Sequence, residues 1–256
     1  MDKAIVFTHN LLAENFAKTC HGLLRGTERF EIISVIDAAH EGKDAGTVLN
    51  GSPLGIPVHS SIAQFFKHSN ESPEFCIVGV AFPGGVLPED CRKELLAAMD
   101  HGLSIICGLH HYLSEDPEFQ ISAKNNGVKL IDIRKPRPVS ELHFWTGKIL
   151  EVTTPVIAIL GSDCAVGKRT TARFIMEVCR SRGIKTEMIY TGQTGWMQGY
   201  SHGFIFDATP NDFVSGEIER VILECVDVSK PDLILLEGQS SLRNPSGPCG
   251  SEFLLS

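Results

Sequence analysis

The chain has no surplus of positive charge. Its 23 Lys and Arg residues are outnumbered by 31 Asp and Glu, for a formal net charge of −8 and a pI of about 5.7. A basic face is the electrostatic footprint of nucleic-acid binding, so no nucleic-acid partner is expected. No apolar run approaches the ~20 residues that cross a bilayer, so no membrane partner is expected either. The eight cysteines contain no CxxC pair, which removes the usual zinc framework, and no metal is expected. Cys76 and Cys107 lie in the apolar segments Phe75-Cys76-Ile77 and Ile106-Cys107-Gly108, as small core residues of a reduced compartment do. An apolar strand begins by Ala4, leaving no room for a leader, and a cytoplasmic location is expected. No GxGxxG follows that strand; the turn reads Thr8-His9-Asn10. Asp37 ends the second apolar run, where a dinucleotide-binding domain carries its ribose acid, but without the glycines a dinucleotide is weakly supported.

What is present is an ordinary globular balance, 43% hydrophobic and 21% charged. In the first half, the runs Ala4–Phe7, Glu31–Ile36, Phe75–Ala81, Leu103–Cys107 and Val128–Ile133 read as buried parallel strands. Between them, Leu11, Leu12, Phe16, Cys20, Leu23 and Leu24 share one helical face, and Pro88–Gly102 forms a second helix. Strands alternating with helices give a doubly wound α/β sheet. Lys135-Pro136-Arg137-Pro138 suits an extended connector. The second half repeats the pattern, with strands at Val156–Leu160, Thr186–Tyr190 and Leu233–Leu236, and a helix to about Val228 that Asp212 could cap. We therefore expect two mainly parallel α/β domains, Rossmann-like over 1–148 and P-loop over 149–256. The apolar ending Phe253-Leu254-Leu255 reads as the start of a helix, so the second domain is expected to continue past the given end. The sequence is compatible with a homo-oligomer.

The most informative segment is Gly161-Ser162-Asp163-Cys164-Ala165-Val166-Gly167-Lys168-Arg169-Thr170, set between an apolar strand and an amphipathic helix. Strand, glycine-bounded loop, Gly-Lys and helix make a phosphate-binding P-loop. Glycines let backbone N–H groups curl around an anion, the helix N-terminus adds partial positive charge, and lysine adds a full one. The loop is irregular. Gly161 lies one residue farther from Gly167 than the standard spacing, as in the dethiobiotin-synthetase-like branch of P-loop proteins, which this segment resembles. The residue after the lysine should carry a hydroxyl for Mg²⁺ but is Arg169. Thr170 is turned away by about 100° and cannot simply replace it. The anion cradle thus survives while the metal ligand is in doubt. That suits a carrier phosphate, such as those of coenzyme A, better than transfer of a γ-phosphoryl group. Cys164 in this loop is either a packed thiol or an acidified one.

Other candidates surround it. Glu237 ends an apolar strand and could bind metal, act as a base or cap a turn. Thr191-Gly192-Gln193-Thr194-Gly195 supplies backbone and hydroxyls for a substrate. Asp212 is a helix cap or a second acid–base group. His110, beside His111, is structural or substrate-contacting, and Arg134 is suited to a carboxylate or an ion pair.

Together these segments resemble one family. The P-loop, Thr191-Gly-Gln-Thr-Gly195, Asp212-Phe-Val and Glu237-Gly-Gln-Ser-Ser-Leu242 are similar to the P-loop half of the D-glutamate N-acetyltransferase-like family, long known only as a domain of unknown function. Ala17-Lys-Thr, Gly22-Leu-Leu-Arg25, Pro83-Gly-Gly-Val-Leu-Pro88, Gly108-Leu-His110 and Asp132-Ile-Arg-Lys135 are similar to its N-terminal half. The resemblance implies a Rossmann-like domain joined to a P-loop domain, and acetyl transfer from acetyl-CoA to the amino group of D-glutamate or a related amino acid. On that reading residues 161–170 hold cofactor phosphates, Glu237 and then Asp212 are the candidate bases, and Thr191, Gly192, Gln193, Arg134 and His110 meet the substrate. The competing expectation is ATP with Mg²⁺, in a ligase or kinase of the dethiobiotin-synthetase type, with a nucleotide-sensing regulator as a third.

Overall fold

The computed structural model describes residues 1–82, 85–163 and 166–239. The chain divides into two compact units. Unit 1 is Met1–Lys135 with Met197–Gly199; unit 2 is Pro136–Trp196 and the chain from Tyr200.

Unit 1 holds six strands: β1 (Asp2–Phe7), β2 (Phe30–Ile36), β3 (Val58–His59), β4 (Phe75–Val78), β5 (Ser104–Cys107) and β6 (Leu130–Asp132). They form one parallel sheet in the order β3-β2-β1-β4-β5-β6, the order of dinucleotide-binding domains. Parallel crossovers, which as a rule are right-handed, run outward in both directions from β1 and β4 in this order and so put helices on both faces, burying the central strands on each side. Ala4, Ile5 and Val6 of β1 are accordingly fully buried, which is why their run is continuous rather than alternating. The helices are α1 (Lys18–Leu24), α2 (Ala45–Asn50), α3 (Ile62–His68), α4 (Glu89–Asp100) and α5 (Pro117–Asn126). The helix expected from Leu11 begins only at Lys18. The carboxylate of Asp37 takes the N–H of Leu12 at 2.9 Å and a turn takes the N–H of Leu11 to the Thr8 carbonyl, so the intervening backbone is committed elsewhere. Leu12 is buried nonetheless.

Unit 2 shows four strands among the described residues: β7 (Val156–Ile159), β8 (Thr186–Tyr190), β9 (His202–Gly203) and β10 (Leu233–Glu237). They are parallel, in the order β7-β10-β8-β9. Among the described residues its helices are α6 (Lys168–Ser181), α8 (Val214–Ser229) and the start of α7 (Gln193–Gln198), whose last two residues belong to unit 1. Alternation along β10 sorts its side chains between two layers. Ile234 and Leu236 pack with Ile189 against Val214, Ile218, Val221 and Ile222 of α8, while Leu235 joins Met188 against Ala172 and Met176 of α6.

The units divide ahead of the expected 148/149 boundary because α8 holds the connector. Glu217, fully buried, accepts from Arg137 Nη1 at 2.8 Å, from His143 N at 3.1 Å and from Arg220 Nε at 2.9 Å. Glu219 accepts from the backbone of Thr146 at 2.6 Å and of Ile149 at 3.1 Å. Residues 137–149 are thereby laid along α8 as part of unit 2.

Candidate functional site

The site in unit 2 begins with strand register. β7 and β10 are neighbours, with Ile159 opposite Glu237. The chain leaving β7 enters the loop at Gly161, so the P-loop and the acid that ends β10 emerge side by side. Gly167 is left-handed, with φ +97°, and a Cβ on Gly161 would stand 2.7 Å from Val166 Cγ2. Both positions therefore call for glycine, and a strand–loop–helix corner with a lysine at its helix end fits a phosphate. Lys168 opens α6, and its Nζ donates to the Asp163 carbonyl at 2.7 Å, across the loop. Ser162, Asp163 and Val166 are exposed, Thr170 is half-buried in the first turn of α6, and Cys164 and Ala165 lie outside the described residues.

Glu237 is the centre of the constellation. Its side chain is 6% exposed, and Arg169 Nη1 stands 3.7 Å from its Oε1. The N–H of Thr191 donates to Oε2 at 3.0 Å, and the Thr191 hydroxyl donates to the Glu237 carbonyl at 2.8 Å. Burial pushes the carboxyl above the usual carboxylate range. Arg169, the N–H groups of Thr191 and Gly192, and Lys168 oppose that effect without cancelling it. A buried carboxyl held above its ordinary range beside two cations is the environment of a proton-transfer group.

Several expectations change here. Thr191, expected at the substrate surface, is completely buried, and its N–H and hydroxyl donate to the carboxylate and the carbonyl of Glu237. The segment 191–195, expected to offer backbone and hydroxyls to a substrate, winds into α7 from Gln193, and Gln193 and Thr194 are buried. Asp212 caps nothing: it lies exposed in a 3-10 turn over Asn211–Phe213, Phe213 holds the cap position of α8, and no side chain caps that helix. In unit 1, Arg134 and His110 follow the carboxyl ends of β6 and β5. Arg134 Nε donates to the Gly108 carbonyl at 2.7 Å, and partial desolvation together with the Arg134 charge lowers the pKa of His110. Both oxygens of Asp132 are taken by the N–H groups of Leu113 and Ser114, at 3.0 and 2.8 Å. Asp37 is likewise engaged, by Thr8 Oγ1 at 2.7 Å, Leu12 N at 2.9 Å and His40 Nδ1 at 2.8 Å.

Two features of the site escaped the sequence. Arg169, expected only among the cofactor-phosphate residues and in place of a hydroxyl, also stands 3.7 Å from the Glu237 carboxylate. Gly195 is the second: a Cβ there would meet the Tyr190 side chain and come within 3.3 Å of Glu237 Oε2. The available signal was the pairing of a strand-end acid with an arginine on the neighbouring helix start.

Comparison with known proteins agrees with this architecture. Residues 38–136 match the DUF1611_N Rossmann-like domain and residues 143–256 the DUF1611_C P-loop domain, each described as a domain of unknown function. The chain belongs to the DUF1611 family. A solved DUF1611 family protein from Anabaena variabilis is 26% identical, with a TM-score of 0.89, covering 100% of this chain and 71% of that one. A protein of Tritonibacter scottomollicae named D-glutamate N-acetyltransferase is 33% identical over 169 residues, 65% of this chain and 47% of its own length. One of the same name from Pseudoalteromonas sp is 29% identical over 170 residues, 66% of this chain and 49% of its own. The chain thus spans about half the length of the curated relatives it matches. Both DUF1611 domains are parallel α/β, as the sequence pattern predicts. Among the described residues no helix is long and apolar enough to cross a membrane.

Proposed function

We propose that this chain is an acetyl-CoA-dependent N-acetyltransferase acting on the amino group of D-glutamate or a related amino acid. The observation that carries the reading is a buried carboxyl, Glu237, set 3.7 Å from Arg169 at the end of a P-loop whose residue after lysine carries no hydroxyl. The names of the two curated relatives supply the reaction class.

Lys168, Arg169 and the N–H groups at the start of α6 are the residues that would hold the cofactor's phosphates. When bound, acetyl-CoA supplies an acetyl group activated as a thioester. An amine attacks only when neutral, so the substrate ammonium must lose a proton first. Glu237 takes it: burial makes it more basic than an ordinary carboxylate, and Thr191 fixes both its carboxylate and its backbone.

The test is acetyl-CoA consumption with D-glutamate, followed by thiol release. Glu237→Gln should abolish transfer while cofactor affinity stays within about tenfold, ~1.4 kcal/mol. Lys168→Ala should act mainly on cofactor affinity. Full activity in the Glu237 variant would remove that residue from the mechanism and promote Asp212. Tight ATP binding that vanishes with EDTA, with no CoA binding, would replace the reading with a ligase or kinase.

A further inference from the structure

Nucleotide P-loops place two things around a divalent cation: the hydroxyl of the residue after the lysine, and an acid on a strand beside the loop. In this chain the second is present and the first is not. Glu237 ends β10, directly alongside β7 and the start of the loop. The residue after Lys168 is an arginine, and its guanidinium reaches back to within 3.7 Å of Glu237 Oε1. A tethered, permanently charged group therefore stands beside the acid that would otherwise face a metal ion.

We propose that Arg169 takes the place of the divalent cation, so that this loop binds phosphate groups without metal. The proposal rests on the reading of residues 161–170 as the cofactor-phosphate site. It narrows the ligand class to phosphomonoesters and phosphoanhydrides carried uncomplexed, rather than to Mg²⁺–nucleotides.

The chemistry supports this division of labour. Guanidinium is charged at every physiological pH and presents planar paired donors that match phosphate oxygens, whereas a metal must be recruited from solution and keeps its water shell. The contact to Glu237 is longer than a hydrogen bond, so it aims the guanidinium without consuming its donors. The side chain is 22% exposed, so it is not sealed from a ligand in solution. Lys168 adds the second fixed charge at the adjacent position and crosses the loop to the Asp163 carbonyl. Neither cation depends on the ionic composition of the medium. A site with two built-in positive charges has little electrostatic reason to admit a third, and a divalent ion near Arg169 would be repelled.

The test uses calorimetry on the full chain with pyrophosphate and with CoA as probes, each in EDTA and in excess Mg²⁺. Wild-type protein should bind both in EDTA, and no more tightly in excess Mg²⁺, where complexation of the free probe can only lower the apparent affinity. Arg169→Thr restores the hydroxyl and removes the guanidinium. It should weaken pyrophosphate binding in EDTA by roughly tenfold to a hundredfold, the worth of a charge-assisted contact, and Mg²⁺ should recover part of that loss. Arg169→Lys, which keeps the charge and loses the fork, should fall between the two without responding to Mg²⁺. Circular dichroism and thermal melts of each variant separate lost binding from lost folding. Metal-dependent binding by the wild type, or unchanged affinity in Arg169→Thr with EDTA, would overturn the assignment of Arg169 while leaving the loop an anion site. No binding of either probe by the folded wild type in any medium would overturn the loop reading itself, and the proposal with it.

Discussion

A single buried side chain sets the character of the candidate site, and its cost should be measurable. The folded state raises the pKa of Glu237 through burial, with Arg169, the neighbouring N–H groups and Lys168 only partly offsetting it. A carboxyl raised on folding contributes its full stability below the unfolded value, ~4.3, and loses it as pH rises through the folded value. Glu237→Gln should therefore melt close to wild type in acid and above it at pH 8, the gap opening as pH climbs past the ordinary carboxylate range. Equal melting temperatures at both pH values would mean that the carboxyl is not strained by burial. Thr191 acts through this acid, so its replacement should divide the kinetic constants. Thr191→Val should lower kcat about tenfold, ~1.4 kcal/mol, with KM little changed, and Thr191→Ser should restore it. A change confined to KM would return Thr191 to the substrate surface.

Among elements, α8 carries a role that its amphipathic pattern did not announce. Its buried carboxylates, Glu217 and Glu219, grip the connector, and Gly216 lets the connector approach. A Cβ on Gly216 would run into the backbone carbonyl of His143. Helix propensity alone would make Gly216→Ala stabilising by about 1 kcal/mol. The clash reverses the sign, and denaturant melts should show a destabilised unit 2. Burial alone would push Glu217 up, but His143, Arg220 and Arg137 outweigh it and hold the carboxyl below its usual range. A depressed pKa contributes stability that is present above the unfolded value and lost as pH falls through the folded one. The grip should thus release in acid, and Glu217→Ala should cost about 2 kcal/mol at neutral pH and much less near pH 3. A pH-independent loss would point to packing rather than charge. Elsewhere, sequence reading of elements was best where burial is two-sided. β1, β5 and β10 are runs of apolar residues that only a parallel sheet hides. It was poorest for β3 and β9, two residues each, whose pairing comes from neighbours rather than from their own composition.

At the level of the whole chain, each unit has its own sheet and its own core, so each should unfold as a cooperative block. Both tryptophans, Trp145 and Trp196, lie in unit 2, and fluorescence therefore reports on that block alone. Pyrophosphate at about 100 times its Kd should stabilise the tryptophan transition by about 2.7 kcal/mol. The reactivity of Cys20 and Cys76, buried in unit 1, should not follow it. Parallel shifts in both signals would show that the units unfold together.

The sequence by itself determined the two parallel α/β domains and the P-loop, because strand runs, glycine spacing and Gly-Lys are local properties that survive without knowledge of neighbours. It singled out Glu237, since a strand-end acid is visible from the strand that precedes it. It could not show that Glu237 stands beside Arg169, that Thr191 is its support, or that Asp212 caps nothing. Those facts depend on β10 lying between β7 and β8, a sheet order that joins residues 46 and more positions apart. Side-chain roles were decided there because burial and hydrogen-bond partners follow from the order of strands, which no local pattern encodes.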